Sequence, residues 1–463
     1  MSLRRPVWVL HVFVVGLALH NFVMAELWKA GVRGTWLTIV SAWKDVLLAA
    51  ALVTVILARR RLPIDRLATD WLALAYGALI VLYALIPQSA LGGAATHKGV
   101  LYGLRHDLVP VGAYFLGRAL GLTEPEVRRL GRTILVTAAG VAAFGLVDIY
   151  TIPLSWWRHS GAAGWFRDQL GFVYKGLSGL PENFVYNTGN EHPLRRLVST
   201  FLSPLATSYL LVVALILCAA WMVRRRPPGA WALLWAATVA LLFAGLLWTH
   251  SRSSYLALAF GLVVYAVAIR AGRETESALV VAAAFVAVAG GLFVHYYPRI
   301  APTTSFTPTE LAFQRSNAAT AGPAETGAED ASLHSHWQSL RSGVATVLHH
   351  PQGFGLGNAG STAARTHVSI KAGESTYPEL GVEAGLAGAF TFIAWSLVLL
   401  ARCLRCWPWI GAVVAAMLAL GLQTDIIGVP WVAYVVWALA GTSVTSLQQK
   451  TRAVPVASAR ALP

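Results

Sequence analysis

The sequence predicts an all-α protein that crosses a membrane about 12 times and carries one large loop domain outside the bilayer. Two observations predict this fold class. The 463 residues are 56% hydrophobic but only 12% charged, whereas soluble globular chains carry about a quarter charged residues. Apolar runs of roughly 18 or more residues also recur along the chain, a length that crosses the hydrocarbon core as a helix.

The candidate spans are apolar runs separated by short polar segments and two long ones. They lie at residues 7–25, 34–57, 71–87, 101–120, 133–151, 203–223, 230–248, 254–270, 277–296, 378–400, 408–422 and 429–446. The predicted organisation is therefore N-terminal helices in 1–151, an interfacial segment at 152–200, helices in 201–296, a loop domain at 297–377, C-terminal helices in 378–447 and a tail at 448–463.

The basic residues predict how these spans are oriented. The formal net charge is +15. With the N-terminus in the cytoplasm, clusters such as Arg59–Arg61, Arg128-Arg129 and Arg224–Arg226 fall beside cytoplasmic span ends, as the positive-inside rule requires. Orientation accounts for most of the basic charge, so we expect no nucleic-acid partner. Segments 152–200 and 297–377 then lie on the outer face.

The segment 152–200 mixes aromatic and basic residues. Trp156-Trp157 and Trp165-Phe166 alternate with Arg158 and Arg167. This mixture is typical of a helix in the membrane interface, or of an aromatic belt with snorkelling cations. Both interpretations make membrane lipids a partner of this segment.

Charged residues also occur inside the apolar runs. Lys44-Asp45 lies in the second run, and Arg105 and Asp107 lie in the fourth. Charge inside a membrane is costly and is retained for ion pairing or for function. We expect internal ion pairs that orient the helices, with a direct functional role as the alternative.

Three arginines stand at the predicted outer face, where the positive-inside rule does not explain them. Arg195-Arg196 precede the sixth span, and Arg252 precedes the eighth. The planar guanidinium holds phosphate through two parallel hydrogen bonds. Arg196 and Arg252 are the better candidates for binding a lipid-linked diphosphate, and the alternative is a contact with lipid headgroups.

The loop domain 297–377 holds candidates for proton transfer. Histidine exchanges protons most readily near neutral pH, so His336 or His334 is a candidate base for an attacking hydroxyl. The alternatives are solvated histidines or a zinc site with Asp330, but the spacing matches no zinc template. Asp330 or Ser332 is expected to cap the helix that follows.

The loop domain also contains a glycine-dense stretch, Pro351-x-Gly353-x-Gly355-x-Gly357. Such a stretch either brings backbone N–H groups to a ligand or forms a tight turn. No Asp-x-Asp pair, which would hold a divalent cation beside a diphosphate, occurs in the outer segments. We therefore expect arginines rather than a metal to neutralise phosphate.

The order of these motifs resembles the O-antigen ligase and polymerase superfamily over residues 190–390. The motifs are Arg196-x-x-Ser199-Thr200-Phe201-x-Ser203-Pro204, Ser251-Arg252-Ser253, a large late loop, the glycine-dense stretch, and Tyr377 followed by Glu383-x-Gly385-x-x-Gly388.

The resemblance implies an inverting, metal-independent glycosyltransferase of the bacterial inner membrane, GT-C-like in fold, with a periplasmic loop over its site and no cofactor. Such enzymes take a glycan from undecaprenyl diphosphate. The ligase passes it to the lipid A–core oligosaccharide and completes lipopolysaccharide, whereas the polymerase uses a second lipid-linked glycan. A transporter of a lipid-linked substrate is the alternative from another class.

The resemblance also implies roles for individual residues. Arg196 and Arg252 would bind the diphosphate, with Arg195 and Arg315 as further contacts. Asp330, Ser332, His334, Tyr377 and Glu383 would support the site.

The chain departs from the family at one position. Many ligases carry a histidine and a polar residue eleven positions before the glycine that matches Gly385, where this chain has Glu374-Ser375. Either Glu374 is the base, or His336 supplies the imidazole. We favour His336 as the base, with Glu374 orienting the histidine or the acceptor hydroxyl.

Overall fold

The computed structural model describes residues 5–60, 62–172, 180–181, 184–186, 192–224, 228–269, 272–312 and 328–453, without the side chains of 328–335 and 446–453. Arg315 lies outside the described residues, as do the side chains of Asp330, Ser332 and His334. Their assigned roles stay predictions.

The described chain is mainly α-helical. The helices are α1 Trp8–Lys29, α2 Gly34–Ser41, α3 Trp43–Arg59, α4 Ala68–Leu85, α5 Gln88–Leu91, α6 His97–Leu120, α7 Glu124–Thr151, α8 Leu154–His159, α9 Ala162–Gly164, α10 Pro204–Arg224, α11 Ala230–Trp248, α12 Arg252–Ile269, α13 Arg273–Ile300, α14 Ala328–His349, α15 Gly360–Arg365, α16 Thr376–Cys406, α17 Pro408–Leu420 and α18 Trp437–Ala453. A 3₁₀ turn spans Ser199–Phe201, and π-helical turns span Trp165–Gln169 and Val432–Val436.

Nine helical segments of the described chain are long and apolar enough to cross a membrane, with α2 and α3 counted together as Gly34–Arg59. Together they make this a multi-pass membrane protein. The other predicted spans coincide with α6, with α17 and with residues 432–445. α17 and the segment Val432–Thr445 are shorter apolar helices, so the predicted count of 12 stays a prediction.

The chain turns between α17 and α18 beside the middle of two other helices. Trp431 Nε1 donates to the carbonyl oxygen of Val14 in α1 at 3.1 Å, and Asp425 contacts His106 in α6 at 2.9 Å. The turn 421–431 therefore ends inside the helical bundle, and a cavity lies beside it.

Small residues let the innermost helices approach closely. A Cβ on Gly117 of α6 would lie 1.9 Å from the carbonyl oxygen of Ala438, and a Cβ on Gly441 of α18 would lie 2.1 Å from that of Tyr114. Glycine at a helix crossing permits such backbone contact in membrane proteins. This crossing anchors the C-terminal helices against the N-terminal half of the chain.

The segment between α7 and α10 folds against the rest of the outer face. Its strand β1 (Val185–Tyr186) pairs antiparallel with β2 (Leu194–Arg195), and Leu194 bridges to Thr303. Trp157 and Trp165 are buried at 0% and 1% exposure in a hydrophobic cluster. The prediction of an aromatic belt is therefore wrong for these two tryptophans, because protein side chains rather than headgroups surround them.

Helix α14 begins before its predicted caps. Its first residue is Ala328, so Asp330 and Ser332 lie inside the helix and do not cap its start. A capping side chain must sit at the flanking position to reach the first free N–H groups. The capping prediction is therefore wrong.

Candidate functional site

His336 and Glu374 contact each other across the loop domain. His336 Nδ1 lies 2.8 Å from Glu374 Oε2, although 38 residues separate them in sequence. Their side chains are 36% and 50% exposed. The pair is therefore formed and still open to a substrate.

The backbone holds Glu374 in an uncommon conformation. Its φ of 69° lies in the left-handed region, which costs energy for a residue with a Cβ. The next residue is anchored, since Ser375 Oγ donates to the carbonyl oxygen of Gly421 at 3.0 Å. Thr376 N donates to the same oxygen. This strain lies beside a candidate proton-transfer group.

The contact sets the protonation of Glu374 and the tautomer of a neutral His336. The hydrogen bond from His336 is the main cause that lowers the pKa of the Glu374 carboxyl below its usual value. Glu374 is therefore an anion at neutral pH and accepts the proton on His336 Nδ1. The lone pair of a neutral His336 is then on Nε2, where a hydroxyl proton can be received.

Arg196 and Arg252 lie near each other, where α10 and α12 begin and α11 ends. Arg196 Nε donates to the carbonyl oxygen of Thr249 at 3.0 Å, and its Nη2 donates to that of His250 at 3.3 Å. Arg252 opens α12 and is half-buried. Within the described ranges its guanidinium has no hydrogen bond or ion pair. Burial chiefly, with the charge of Arg252, lowers the pKa of Arg196.

His250 lies between these arginines and was not predicted from the sequence. Its ring stacks on Tyr297 with centroids 4.2 Å apart and packs against Tyr186 at 4.5 Å. Burial, then the charges of Arg196 and Arg252, lower the pKa of His250 to about 3. A neutral ring beside two cations leaves a net positive site that suits an anion. The sequence signal that could have found His250 was Arg252, which lies two residues further along the chain.

The neighbouring Arg195 is placed differently. It is 3% exposed, and it donates to Asp148 Oδ1 at 3.3 Å and to the carbonyl oxygen of Ile152 at 2.8 Å. A buried guanidinium held by a carboxylate is not presented to a ligand. This geometry favours a structural role and disagrees with the prediction of diphosphate binding for Arg195.

The predicted supporting residues that the structure describes are engaged inside the protein. Tyr377 donates to the carbonyl oxygen of Leu418 at 2.7 Å. Glu383 is buried and accepts from Gly357 N at 2.9 Å and Thr362 Oγ1 at 2.8 Å. The glycine-dense stretch is thus a tight turn packed on α6, because a Cβ on Gly357 would lie 2.6 Å from Gly99 C.

One buried group has the residue types that hold a metal. Ligand atoms of His106, Asp107 and Glu383 lie within 4.8 Å of one another. His106 already contacts Asp107 at 2.8 Å through Nδ1 and Asp425 at 2.9 Å through Nε2. Because both ring nitrogens have protein partners, we assign no metal role to this group. Sequence reasoning singled out Asp107 and Glu383 but not His106 or Asp425.

The arginine pair and the His336–Glu374 pair lie at the same end of two packed helices. A Cβ on Gly261 of α12 would lie 3.3 Å from the carbonyl oxygen of Ala412 in α17. α17 begins near the end of α10, since Arg224 lies over the ring of Trp407. It ends beside Gly421, whose carbonyl oxygen accepts a hydrogen bond from Ser375. We call Arg196, His250, Arg252, His336 and Glu374 the outer site.

The helices and these residues define a class: a multi-pass membrane protein in which two neighbouring arginines and a contacting histidine–glutamate pair lie at one end of the packed helices. Residues 237–393 match the O-antigen ligase family model. The predicted resemblance is confirmed, and the chain carries an O-antigen ligase family region. This region contains Arg252, His336 and Glu374 but not Arg196. No curated protein matches the chain.

Proposed function

We propose that this protein is an O-antigen ligase, which transfers a glycan from undecaprenyl diphosphate to a hydroxyl of the lipid A–core oligosaccharide. The observation that carries the proposal is the 2.8 Å contact between His336 and Glu374 inside the region that matches the O-antigen ligase family. The proposed location is the bacterial inner membrane, with the outer site on the periplasmic face under the loop domain 297–377.

The proposed donor step uses the two arginines. Arg196 and Arg252 would hold the diphosphate and stabilise the charge that develops as the bond between the anomeric carbon and the phosphate oxygen breaks. The leaving undecaprenyl diphosphate keeps the electron pair of that bond. The unpaired guanidinium of Arg252 supports this role, because a phosphate would supply the partner that the described protein residues do not.

The proposed acceptor step uses the acid–base pair. A hydroxyl oxygen of the acceptor attacks the anomeric carbon, and its proton goes to Nε2 of His336. Glu374 accepts from Nδ1 and stabilises the imidazolium that forms. Attack from the face opposite the leaving diphosphate inverts the anomeric configuration, and no metal or cofactor enters this scheme.

The test is transfer by the purified full chain in lipid nanodiscs, with a lipid-linked glycan as donor. Lipid A–core oligosaccharide and a second lipid-linked glycan are supplied separately as acceptors. Transfer to lipid A–core supports a ligase, and transfer only to the lipid-linked glycan would make the protein an O-antigen polymerase. Passage of the donor across a vesicle membrane without bond formation would replace both with a transporter.

A further inference from the structure

A cavity of about 260 Å³ lies among helices that the outer site does not use. Its wall is formed by α1, α2–α3, α6, α15 and the two π-helical turns, Trp165–Gln169 and Val432–Val436, together with the turn 421–431. Most of these segments lie outside the region that matches the O-antigen ligase family. We call it the basic cavity.

The charged side chains that line the basic cavity are all cationic. They are Lys44, Arg105 and Arg365, and His20 and His106 are the other titratable groups on its wall apart from two tyrosines. No carboxylate is among the lining residues. A chamber with one sign of charge and low-dielectric walls attracts an ion of the opposite sign.

Two of these cations, Lys44 and Arg105, have different partners. Arg105 Nε donates to Asp45 Oδ1 at 2.8 Å, so one internal ion pair of the predicted kind joins α3 and α6. Lys44 is 4% exposed, and its Nζ contacts the carbonyl oxygen of Ser41 at 2.7 Å and His20 Nε2 at 3.2 Å. It has no carboxylate partner within the described ranges. A buried cation without an anion is costly and marks a functional site in a membrane protein.

Part of the remaining wall is aromatic. The aromatic lining residues are Trp165, Phe166, Phe172, Phe201, Trp431 and Tyr434, and Arg365 lies over the Phe172 ring at 5.3 Å. Cations beside aromatic rings suit an amphiphile whose head is anionic and whose body is apolar. Phosphate fits these cations, because arginine binds it through two parallel hydrogen bonds and lysine binds it as a point charge.

A second groove continues from the basic cavity. It shares Tyr102, Leu170 and Arg365 with the cavity and adds Thr96, Lys98, Gln169 and the Arg167–Asp168 ion pair. The cavity measures about 260 Å³ and the groove about 300 Å³, so the two together reach the roughly 300–1,000 Å³ typical of small-molecule sites. The cavity then suits a phosphorylated head group, and the polar groove has room for the sugar attached to it.

We propose that the basic cavity binds the phosphorylated head of one of the two lipid-borne substrates, an assignment that rests on the proposed function. Lys44, Arg105 and Arg365 contact the phosphate, and the aromatic wall contacts the apolar part. None of the five outer-site residues lines the cavity, which brings a substrate to the bundle interior beside the turn 421–431.

Binding to the purified full chain in nanodiscs tests this proposal without any transfer reaction. The probes are undecaprenyl diphosphate and lipid A–core oligosaccharide, each titrated separately, with undecaprenol as the phosphate-free control. The variants are Lys44→Met and Arg365→Gln, each made in the wild-type chain and in Arg252→Gln, so that undecaprenyl diphosphate bound by the outer-site arginines does not mask a loss at the cavity. The matched control is Arg33→Gln, since Arg33 is an exposed arginine whose guanidinium packs over Trp28.

Both cavity variants are expected to weaken one phosphorylated probe by about ten- to hundredfold, the value of a charged hydrogen bond, and to leave undecaprenol unchanged. Lys44→Met is expected to unfold at the same or a higher temperature, because it removes a buried charge that lacks an anion. Loss confined to undecaprenyl diphosphate assigns the donor, and loss confined to lipid A–core assigns the acceptor.

Wild-type affinity for both probes in both folded variants would overturn the proposal. A wild-type protein that binds a probe through Lys44 and Arg365 but transfers no glycan would refute the proposed function and support the cavity site. The two failures are thus distinguishable.

Discussion

The outer site and the basic cavity both present cations, but they differ in how the chain builds them. The outer site takes Arg196, His250 and Glu374 from loops and His336 from α14, and His336 and Glu374 remain partly exposed. The basic cavity takes its cations from three helices, α3, α6 and α15, and Lys44 is 4% exposed. A partly exposed group can reach a substrate and exchange protons with water, whereas a group buried in a bundle mainly selects charge and shape. We therefore expect chemistry at the first and recognition at the second.

The largest expected effect separates these two roles. Replacing His336 with Ala removes the proposed base, which should lower transfer by about 10²–10⁴-fold. Binding of the phosphorylated probe that the basic cavity takes should be unchanged. Rates and affinities are measured on the same nanodisc preparation.

The control for this variant is His349→Ala, an exposed histidine on the same helix. Glu374→Gln should lower the rate as well, because the amide no longer accepts charge from the imidazolium. Wild-type rates in both the His336 and Glu374 variants would remove proton transfer from the outer site.

The next effect tests anion binding at the outer site. Arg252→Gln removes the guanidinium that no described protein residue pairs with, and we expect transfer to fall about 10²–10³-fold, as for the loss of a preorganised donor. Arg252→Lys should retain part of the rate. The exposed Arg299, also at the outer face, provides the control Arg299→Gln. Equal rates for Arg252→Gln and this control would contradict the assignment.

A third variant contrasts the two adjacent arginines. Arg195→Ala leaves Asp148 buried without its partner, and breaking a buried pair costs about 3–5 kcal/mol of unfolding free energy. The melting temperature should fall strongly in Arg195→Ala, whereas it should stay near the wild-type value in Arg252→Gln. Replacing both partners with apolar residues, Arg195→Met with Asp148→Leu, should recover stability. A stable but inactive Arg195→Ala protein would instead support phosphate binding by Arg195.

A pH effect tests the neutral histidine between the arginines. Burial and the charges of Arg196 and Arg252 lower the pKa of His250 to about 3 in the folded protein, against roughly 6.5 in an unfolded chain. Between these values the unfolded state binds the extra proton, so stability falls as the pH drops from 6.5 toward 3. His250→Gln should make the melting temperature less sensitive to acid over this range. An unchanged slope would show that His250 is not buried beside these cations.

The smallest expected effect concerns Tyr377. Tyr377→Phe removes one hydrogen bond to the carbonyl oxygen of Leu418, which contributes about 1 kcal/mol. Transfer should stay within about threefold of wild type, because the hydroxyl is engaged inside the protein. A loss as large as that of Arg252→Gln would return Tyr377 to the outer site.

Local patterns in the sequence predicted several parts of this comparison. Hydropathy located the helices, because a spanning helix must satisfy its own backbone and present apolar side chains along its length. Arg252 was singled out because the positive-inside rule does not explain an arginine at the predicted outer face. The Glu374-Ser375 departure led to a pairing with His336, and the structure places these residues in contact.

Other predictions failed where the outcome depended on packing. Trp157 and Trp165 have the composition of a membrane belt but fold into a protein cluster. Arg195 and Arg196 are adjacent in sequence, yet Arg195 contacts the buried carboxylate of Asp148, whereas Arg196 donates to the carbonyl oxygens of Thr249 and His250. Alternation along β2 and the following turn sends neighbouring side chains to different surroundings, and sequence composition does not reveal which surroundings contain Asp148.

The sequence by itself determined that this chain crosses a membrane repeatedly and which motifs resemble the O-antigen ligase superfamily. These properties depend on composition and short-range order, which are local. Only the tertiary structure decided that Lys44 has no carboxylate partner among the described residues while Arg105 has Asp45, and that both line one cavity with Arg365. These residues lie tens to hundreds of positions apart, so their association depends on how the helices pack and on where the turn 421–431 stops inside the bundle.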